Sequence, residues 1–377
     1  LQNDDKNSEF EIKNKKTLVI NNIEYGSLIG FDLKFNKDVI SHSLFSLSHV
    51  KKSTRLMIEE KINNFLNAPS DSINLGDVNN INIKENIKIF WGEENIGQLT
   101  RGSSISAPMA EAINSEYLSS ENKLLVSAKL QKWIDDLIKT KLWPLNENID
   151  EKLSSNIRAI QFNLFEGLGT LPIEKFKSFL KDISLEEKNV LSKLGIRIGA
   201  KYFFVPNFLK KASMELLAVL WCVFNEHKFD GFLPLPKDGR VSFESDNEMQ
   251  KGYWFAIGYL KLNNFALRID VFERIFFIAR QKIKSGPFLD SADLMNPVGC
   301  NREQLKDILA YCGLSYIKFP NERFLFFYES NKVISKPKRV VSKKIDLKSK
   351  SKNKKISKKI EKSIDPNSPF AVLEKLL

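Results

Sequence analysis

The sequence predicts an α+β protein, mainly α-helical with small β-hairpins, that ends in a disordered basic tail. Three observations support this fold class. Apolar residues recur at helical spacing through much of residues 120–227, and Ser, Pro and Gly stand where helices begin or end. Elsewhere, short β-type runs occur in pairs around turn residues. After Ser330 the composition becomes rich in Lys and poor in large apolar residues.

Residues 1–80 are predicted to form an N-terminal strand and helix segment that ends in a linker. Residues 1–16 are polar and charged, which predicts disorder. Residues 17–25 are typical of a strand, and residues 43–66 show roughly helical spacing of apolar residues. Residues 68–80 are rich in Ser, Asn and Asp and predict the linker.

Residues 81–235 are predicted to form an α-rich domain. It opens with a hairpin of the runs 87–91 and 96–100 around Gly-Glu-Glu-Asn. Residues 195–206 are expected to be extended. Helices are predicted, from apolar spacing, capping residues and Gly or Pro terminators, at residues 120–142, 149–167, 173–181, 184–194 and 213–227.

Residues 236–330 are predicted to form a winged-helix-like unit. Two β runs around Asn263-Asn264 open it, and a hairpin around Pro320-Asn321-Glu322 closes it. The order of helix, helix, helix and two-stranded hairpin is that of a winged helix-turn-helix. The predicted helices are 270–283, 291–295 and 301–312, and the predicted strands are 258–262, 265–269, 315–319 and 323–328.

The excess positive charge lies in one segment near the C-terminus. The chain has 58 Lys and Arg against 46 Asp and Glu, a net charge of +12. Residues 331–363 contain 14 Lys and Arg against two acidic residues. The other 344 residues therefore carry 44 basic and 44 acidic side chains and have no net charge. This segment has no aromatic residue and cannot offset the entropy lost on folding, which predicts a disordered tail. Residues 364–377 form a short amphipathic motif, and we expect Phe370, Leu373 and Leu376 to bind a protein partner.

The composition argues against a membrane protein and against a disulfide-stabilised one. The longest uninterrupted apolar run, residues 216–224, is far shorter than the roughly 20 residues of a membrane span. The N-terminal residues lack the apolar core of a signal peptide. Three cysteines without C-x-x-C spacing indicate neither a disulfide framework nor a zinc module. We therefore expect a reducing, cytoplasmic location and no membrane partner.

No catalytic constellation can be recognised in the sequence. No Gly-Lys pair occurs, so the chain lacks the glycine-rich loop and Lys that cradle a nucleotide phosphate, and it lacks a DExH box. Three histidines without acidic partners at ligand spacing do not indicate a metal site. We expect no catalytic residue, no metal and no cofactor in this chain.

Basic residues suggest contact with nucleic acid. In a winged helix the third helix and the hairpin contact nucleic acid, and here they would present Arg302, Lys306, Lys318 and Arg323 to it. The alternative is that the unit packs against a neighbouring domain and binds no nucleic acid. The tail predicts salt-sensitive, sequence-independent binding of polyanions, with anionic lipid and a solubilising spacer as alternatives. The other candidate residues are Arg197, Lys201, Lys210 and Lys211 in the body, and Lys343, Lys344, Lys354, Lys355, Lys358 and Lys359 in the tail.

Seven segments, taken in order along the chain, are informative together. They are IFWGEENIGQLTRG (89–102), FEGLGTLP (165–172), LGIRIGAKYFFVPNFLK (194–210), GRVSF (239–243), ALRIDVFERI (266–275), MNPVGCNREQLKDILAYCGL (295–314) and SPFAVL (368–373). This series resembles the region downstream of the motor in bacterial relatives of the mitochondrial degradosome RNA helicase, a superfamily-two ATP-dependent helicase. The resemblance implies a helical accessory platform that lines the exit path of a single strand, with Arg197, Lys201, Lys210 and Lys211 facing that path.

The resemblance also implies that two RecA-like motor lobes lie N-terminal to this chain, so that the chain is a C-terminal fragment or has lost its motor. ATP and magnesium are expected only in those lobes. We expect a non-catalytic helicase part, associated with RNA degradation, that guides and retains single-stranded RNA or DNA. The alternative is a protein-interaction scaffold whose C-terminal short helix docks on a partner.

Overall fold

The computed structural model divides the chain into two compact units. The N-terminal unit comprises Leu1–Ile275 and Pro297–Gly299, and the C-terminal unit comprises Phe276–Asn296 and Cys300–Leu377. The domain boundaries predicted after residues 80 and 235 stay predictions. The structure describes residues 10–13, 17–20, 23–36, 47–78, 81, 86–142, 154–226, 233–245 and 249–329.

The first sheet of the N-terminal unit has four antiparallel strands in the order β1-β2-β3-β4. Two sequence predictions are wrong here. β1 lies within the segment 1–16 that was expected to be disordered, and the strand predicted over 17–25 is divided between β2 and β3. The backbone pairing of Phe10 with Ile20 forms β1 without the long apolar run that would reveal it in the sequence. The strands are β1 (Phe10–Lys13), β2 (Thr17–Ile20), β3 (Ile23–Ile29) and β4 (Asp32–Phe35).

The second sheet confirms the predicted hairpin and extends it on both sides. Ile73 and Asn74 pair with Trp91 and Phe90, so the predicted linker 68–80 contains a short edge strand. A fourth strand, which was not predicted from the sequence, follows the hairpin. The strands, in the spatial order of the sheet, are β5 (Ile73–Asn74), β6 (Ile87–Trp91), β7 (Glu94–Ser104) and β8 (Ala107–Ala112).

The described helices of the N-terminal unit extend at most two residues beyond the predicted segments, and the predicted helical residues 43–46, 149–153 and 227 lie outside the described residues. Ser119, Ser154 and Ser184 cap their helices, as each hydroxyl accepts a bond from a backbone N–H three residues on. One helix near the C-terminal end of the unit was not predicted. The helices are α1 (Leu47–Asn67), α2 (Ser120–Lys141), α3 (Ser155–Glu166), α4 (Lys177–Asp182), α5 (Leu185–Lys193), α6 (Lys211–Asn225) and the unpredicted α7 (Lys251–Ala256).

Two three-stranded antiparallel sheets and the buried helix α6 complete this unit. Ten of the fifteen residues of α6 are buried, so the helix is apolar around most of its circumference, as its sequence predicts. The strands are β9 (Thr170–Pro172), β10 (Arg197–Ile198) and β11 (Tyr202–Phe204) in the order β10-β11-β9, and β12 (Ser242–Glu244), β13 (Tyr259–Leu262) and β14 (Phe265–Arg268) in the order β12-β14-β13.

The C-terminal unit begins within helix α8 (Ile269–Lys284), whose first residues belong to the N-terminal unit. Its sheet has the order β15-β17-β16, and Leu294, Leu305, Phe324 and Phe326 are among its buried core residues. The predicted helices and hairpin are confirmed, and the short strand β15 is an addition. The remaining elements are β15 (Phe288–Leu289), α9 (Ala292–Met295), α10 (Arg302–Tyr311), β16 (Ser315–Lys318) and β17 (Phe324–Phe327).

The described residues thus form a mixed helix and strand structure with five small antiparallel sheets, which agrees with the predicted α+β class. Strands take a larger part than the mainly α prediction allowed. None of the described helices combines the length and apolar character needed to cross a membrane. The tail 331–363 and the motif 364–377 lie outside the described residues.

Candidate nucleic-acid interface

The structure brings the four cations predicted in the C-terminal unit to the start of α10 and to the adjoining hairpin. Arg302 is the first residue of α10 and Lys306 lies one turn further on. Lys318 ends β16, and Arg323 directly precedes β17. The start of α10 is well defined because Asn301 and Gln304 form a reciprocal capping box, as the sequence predicts.

Arg302 and Arg323 converge on one carboxylate, that of Asp290. Arg302 Nε lies 2.7 Å from Asp290 Oδ2, and Arg323 Nε lies 3.3 Å from Asp290 Oδ1. Arg323 Nη2 also donates to the backbone oxygen of Asp290 at 2.9 Å. The Asp290 side chain is 1% exposed, whereas those of Arg302 and Arg323 are 49% and 39% exposed. A buried anion therefore orients two guanidinium groups that remain open to solvent.

Asp290 itself is held by the backbone of β17. The Phe324 N–H donates to Asp290 Oδ1, and the Asp290 N–H donates to the Phe324 carbonyl, each at 3.0 Å. Burial raises the pKa of Asp290, but the bonds from the Phe324 N–H and from the two arginines outweigh burial and lower the pKa below its usual value. The carboxylate is therefore charged at neutral pH. Two positive charges face one negative charge, which leaves an excess of +1.

Lys306 and Lys318 lie in a different electrostatic setting. Both ammonium groups donate to Glu303, each at 2.9 Å, and Lys306 Nζ lies 3.3 Å from Asp307. Hydrogen bonds to Glu303 raise the pKa of both lysines, and those same bonds lower the pKa of Glu303. Two positive charges face two negative charges here. The structure therefore divides the four predicted cations into an arginine pair with excess charge and a lysine pair that is neutralised.

The four candidate cations of the N-terminal unit lie on a hairpin and at a helix start. Arg197 is exposed at the open end of the β10–β11 hairpin, and Lys201 lies in its turn. Lys210 and Lys211 are exposed at the N-terminus of α6, where the helix dipole adds to their positive charge. Lys211 Nζ lies 4.0 Å from Glu215. The structure thus groups Lys210 with Lys211 and places Arg197 and Lys201 at opposite ends of a hairpin.

A buried carboxylate that was not predicted from the sequence fixes the turn containing Lys201. Glu273 on α8 accepts hydrogen bonds from the backbone N–H groups of Ala200, Lys201 (2.9 Å) and Tyr202 (2.8 Å). Burial raises the pKa of Glu273, and the three N–H bonds only partly oppose this effect. A Cβ atom at position 199 would lie 2.4 Å from Glu273 Cδ, so a larger residue than Gly199 would displace this carboxylate from its hydrogen bonds. More than seventy residues separate Glu273 from this turn, so no local pattern could have revealed the contact.

The remaining candidates lie outside the described residues. They comprise the predicted nucleic-acid-binding lysines of the tail and the predicted partner-binding residues of the terminal motif, namely Lys343, Lys344, Lys354, Lys355, Lys358, Lys359, Phe370, Leu373 and Leu376.

An open groove of about 840 Å³ in the N-terminal unit offers a contrasting surface. It is lined by apolar side chains such as Trp91 and Met57, and by the exposed acidic residues Glu60 and Glu93. Lys61 is the one cation among the described lining residues, and it forms an ion pair with Glu94. A phosphate would meet repulsion in this groove, and it contains none of the predicted nucleic-acid-binding residues.

The described residues also bear on covalent and metal chemistry. Cys300 lies before α10, and burial raises the pKa of its thiol to about 11, so the thiol is protonated at neutral pH. Within the described ranges, no group of three or more His, Cys, Asp or Glu side chains could hold a metal ion.

Comparisons with known proteins leave the helicase resemblance as a prediction. No protein-family model matches the chain, and neither a curated protein nor a solved structure matches it.

Proposed function

We propose that the chain binds single-stranded RNA or DNA without hydrolysing ATP, as the C-terminal accessory part of an ATP-dependent helicase. In this proposal the motor lobes, with their ATP and magnesium, lie upstream in the same polypeptide, and the protein acts in the cytoplasm. The body guides a strand and the basic tail retains it. The helicase context rests on the sequence resemblance alone, whereas strand binding also draws support from the charged side chains of the C-terminal unit.

The C-terminal unit, in this proposal, is winged-helix-like. Its order is helix, strand, helix, helix and two strands, and β17 lies between β15 and β16. In winged helices the helix before the hairpin approaches nucleic acid with its N-terminal residues, and the hairpin makes a second contact. The corresponding helix is α10. It begins with Arg302, and Arg323 lies at the base of the hairpin beside the same carboxylate.

The single observation that supports strand binding best is the arginine pair on Asp290. Arg302 contacts the carboxylate through Nε, so its terminal amino groups can still donate to another acceptor. A guanidinium that is already oriented loses less side-chain entropy when it binds an anion. One phosphodiester carries one negative charge and would balance the excess of +1. The lysine pair has no such excess, and we assign it no phosphate.

The tail would supply the larger, sequence-independent part of the affinity. Its 14 cations within 33 residues can replace counterions condensed on a polyanion, and the release of those ions makes binding sensitive to salt. Its composition predicts disorder, and a disordered segment can adapt to any strand conformation, which suits retention rather than sequence recognition.

Two double variants of the full chain test the arginine pair against a matched control. R302Q/R323Q and K306Q/K318Q each remove two positive charges from the same unit, so their long-range effects on net charge are equal. Affinity for a fluorescent single-stranded oligouridylate should fall about ten-fold in the arginine variant, because two charge-assisted contacts to one phosphate are lost. The lysine variant should lose less than about three-fold, because Glu303 and Asp307 already neutralise Lys306 and Lys318.

The variant R302K/R323K provides a second control, since it keeps both charges but loses the planar fork of the guanidinium. It should bind between wild type and R302Q/R323Q. Circular dichroism of all variants checks that the unit remains folded. Equal losses in the arginine and lysine variants would show that only net charge matters, and would remove the support for an oriented phosphate site.

A further inference from the structure

The sheet of the C-terminal unit has two faces of different character. On the inner face, Phe326 packs against Phe288 at a ring distance of 5.7 Å, and Phe324 packs against Tyr316 at the same distance. Phe324 and Phe326 are at most 1% exposed. The inner face is therefore part of the core of the unit, and alternation along each strand directs the intervening side chains outwards.

The outer face is defined by Leu289, Ile317, Phe319, Leu325 and Phe327. Register pairs Leu325 with both Leu289 and Ile317, so these three side chains form a row across all three strands. The ladder continues through the bond from the Phe319 N–H to the Arg323 carbonyl. Ile317 is 50% exposed, and Leu289 and Phe319 are each 38% exposed. Leu325 and Phe327 are half-buried.

A solvated face of an antiparallel sheet normally carries polar side chains. Single exposed apolar residues are ordinary, but three exposed and two half-buried apolar side chains that adjoin on one face indicate a surface that another element covers. The row of Leu289, Leu325 and Ile317 contains no charged residue. At the edge of the face, Arg323 pairs with Phe319 and forms an ion pair with Asp290. The occupant must therefore offer several apolar side chains to the centre of the face.

The chain itself supplies such a segment. Beyond Glu329 it continues for 48 residues, and residues 331–363 are too polar to cover an apolar face. The last ten residues, 368–377, carry Phe370, Leu373 and Leu376, and the charges of Glu374 and Lys375 cancel. The stretch that joins β17 to these residues therefore starts at the sheet and ends in an apolar segment.

The connecting stretch is long enough for this return. In general, a flexible chain of about 40 residues has a root-mean-square span of roughly 35 Å, and like charges extend such a chain further. A linker of that length gives a local concentration of the order of millimolar. The ratio of docked to undocked segment equals this local concentration divided by the dissociation constant measured between separate molecules. For a weak contact with a dissociation constant of about 100 μM, the docked state would therefore be about ten times more populated than the undocked state.

We propose that the C-terminal segment 368–377 docks on the outer face of the sheet in the same chain, through Phe370, Leu373 and Leu376. This inference is independent of nucleic-acid binding. It also differs from docking on a separate partner, because the surface that receives the segment belongs to the same polypeptide. Docking would close the basic residues 331–363 into a loop on the C-terminal unit.

A labelled peptide of residues 367–377 tests the proposal by competition. Fluorescence anisotropy measures its binding to the full wild-type chain and to the full chain with F370A/L373A, whose own segment cannot compete. The variant chain should bind the peptide about ten-fold more tightly than wild type. Adding I317K to that variant should abolish binding, and a peptide that carries both Ala substitutions should not bind. Ile317 is half exposed, so I317K should leave the fold intact, and circular dichroism together with the milder I317S checks this.

Equal peptide binding to the wild-type and F370A/L373A chains would overturn the proposal, because the outer face would then be empty of its own segment. Absence of binding to both chains would overturn it as well. Binding that survives I317K would place the peptide elsewhere. Self-association of wild type that I317K removes and F370A/L373A leaves intact would identify a second copy as the occupant, and would also contradict the proposal.

Discussion

Removal of the Glu273 side chain should destabilise the N-terminal unit, because three backbone N–H groups depend on it. An unsatisfied buried donor costs about 1–3 kcal/mol. Only the Tyr202 N–H lies in a buried residue, whereas Ala200 and Lys201 are half-exposed and water can replace part of their loss. E273A also removes the cost of burying the carboxylate, which offsets a further part of the destabilisation. We therefore expect E273A to lower the free energy of unfolding by about 2–3 kcal/mol.

Tryptophan fluorescence during urea unfolding is a suitable assay for E273A. All five tryptophans lie between residues 91 and 254, within the N-terminal unit, so this signal does not report on the C-terminal unit. E273Q keeps the shape and one acceptor oxygen, and should cost about 1 kcal/mol because its amide faces a donor. E174A is the surface control, since this side chain is 73% exposed, and it should cost less than about 0.5 kcal/mol.

The pH dependence gives a second check on Glu273. Its folded pKa is raised above the unfolded value, so the unfolded state releases its proton first as the pH rises. Stability of wild type relative to E273Q should therefore fall as the pH rises from about 4 through the folded pKa, and should then level off. If E273A lowers the free energy of unfolding by less than about 0.5 kcal/mol throughout this pH range, the interpretation that this carboxylate fixes the turn is wrong.

Two further predictions concern the C-terminal unit. D290N should lower the protection of β17 amides against hydrogen exchange by about five- to thirty-fold at pH 7. The reason is that the charge-assisted bonds from Arg302 and Arg323, both of which are partly exposed, lose their anionic acceptor. Because the folded pKa of Asp290 is lowered, this penalty should shrink as the pH falls below about 4, and a penalty that persists there would contradict the assigned charge. E303Q should release the neutralised lysine pair and raise affinity for single-stranded RNA about three-fold at low salt. E174Q is its charge-matched control, and an equal gain in both would assign the effect to net charge.

The sequence predicted the elements whose apolar pattern is clear, and it failed where that pattern is short or weak. Among the missed elements, β8 and α7 have six residues each, and three of the six residues of β8 are alanines. The hairpins around Asn263 and Asn321 were predicted because each strand shows its apolar pattern over at least four positions. The third strands of both sheets, β12 and β15, have three and two residues, which is too short for any period to be visible. Pairing with a distant strand, rather than local sequence, creates them.

The candidate site also depends on contacts between residues that are distant in the sequence. The predicted helices and hairpin place Arg302, Lys306, Lys318 and Arg323 in one region, and the structure has them at the start of α10 and on the adjoining hairpin. Their partition into a charged pair and a neutral pair depends on Asp290, which lies 12 and 33 residues from its two arginines. Local sequence around Asp290 indicates only the start of a helix. A contact between distant residues decides the local charge, and composition cannot predict it.

The most direct test of the proposed function is the salt dependence of single-stranded RNA binding by the full chain, compared with a variant that lacks residues 331–363. If at least four tail cations contact phosphates, the logarithm of affinity should fall with the logarithm of salt with a slope of about −3 or steeper. The deletion should weaken binding at low salt and flatten this slope, and R302Q/R323Q should reduce the affinity that remains. Unchanged affinity on deletion, or binding to anionic vesicles but not to RNA, would contradict the account.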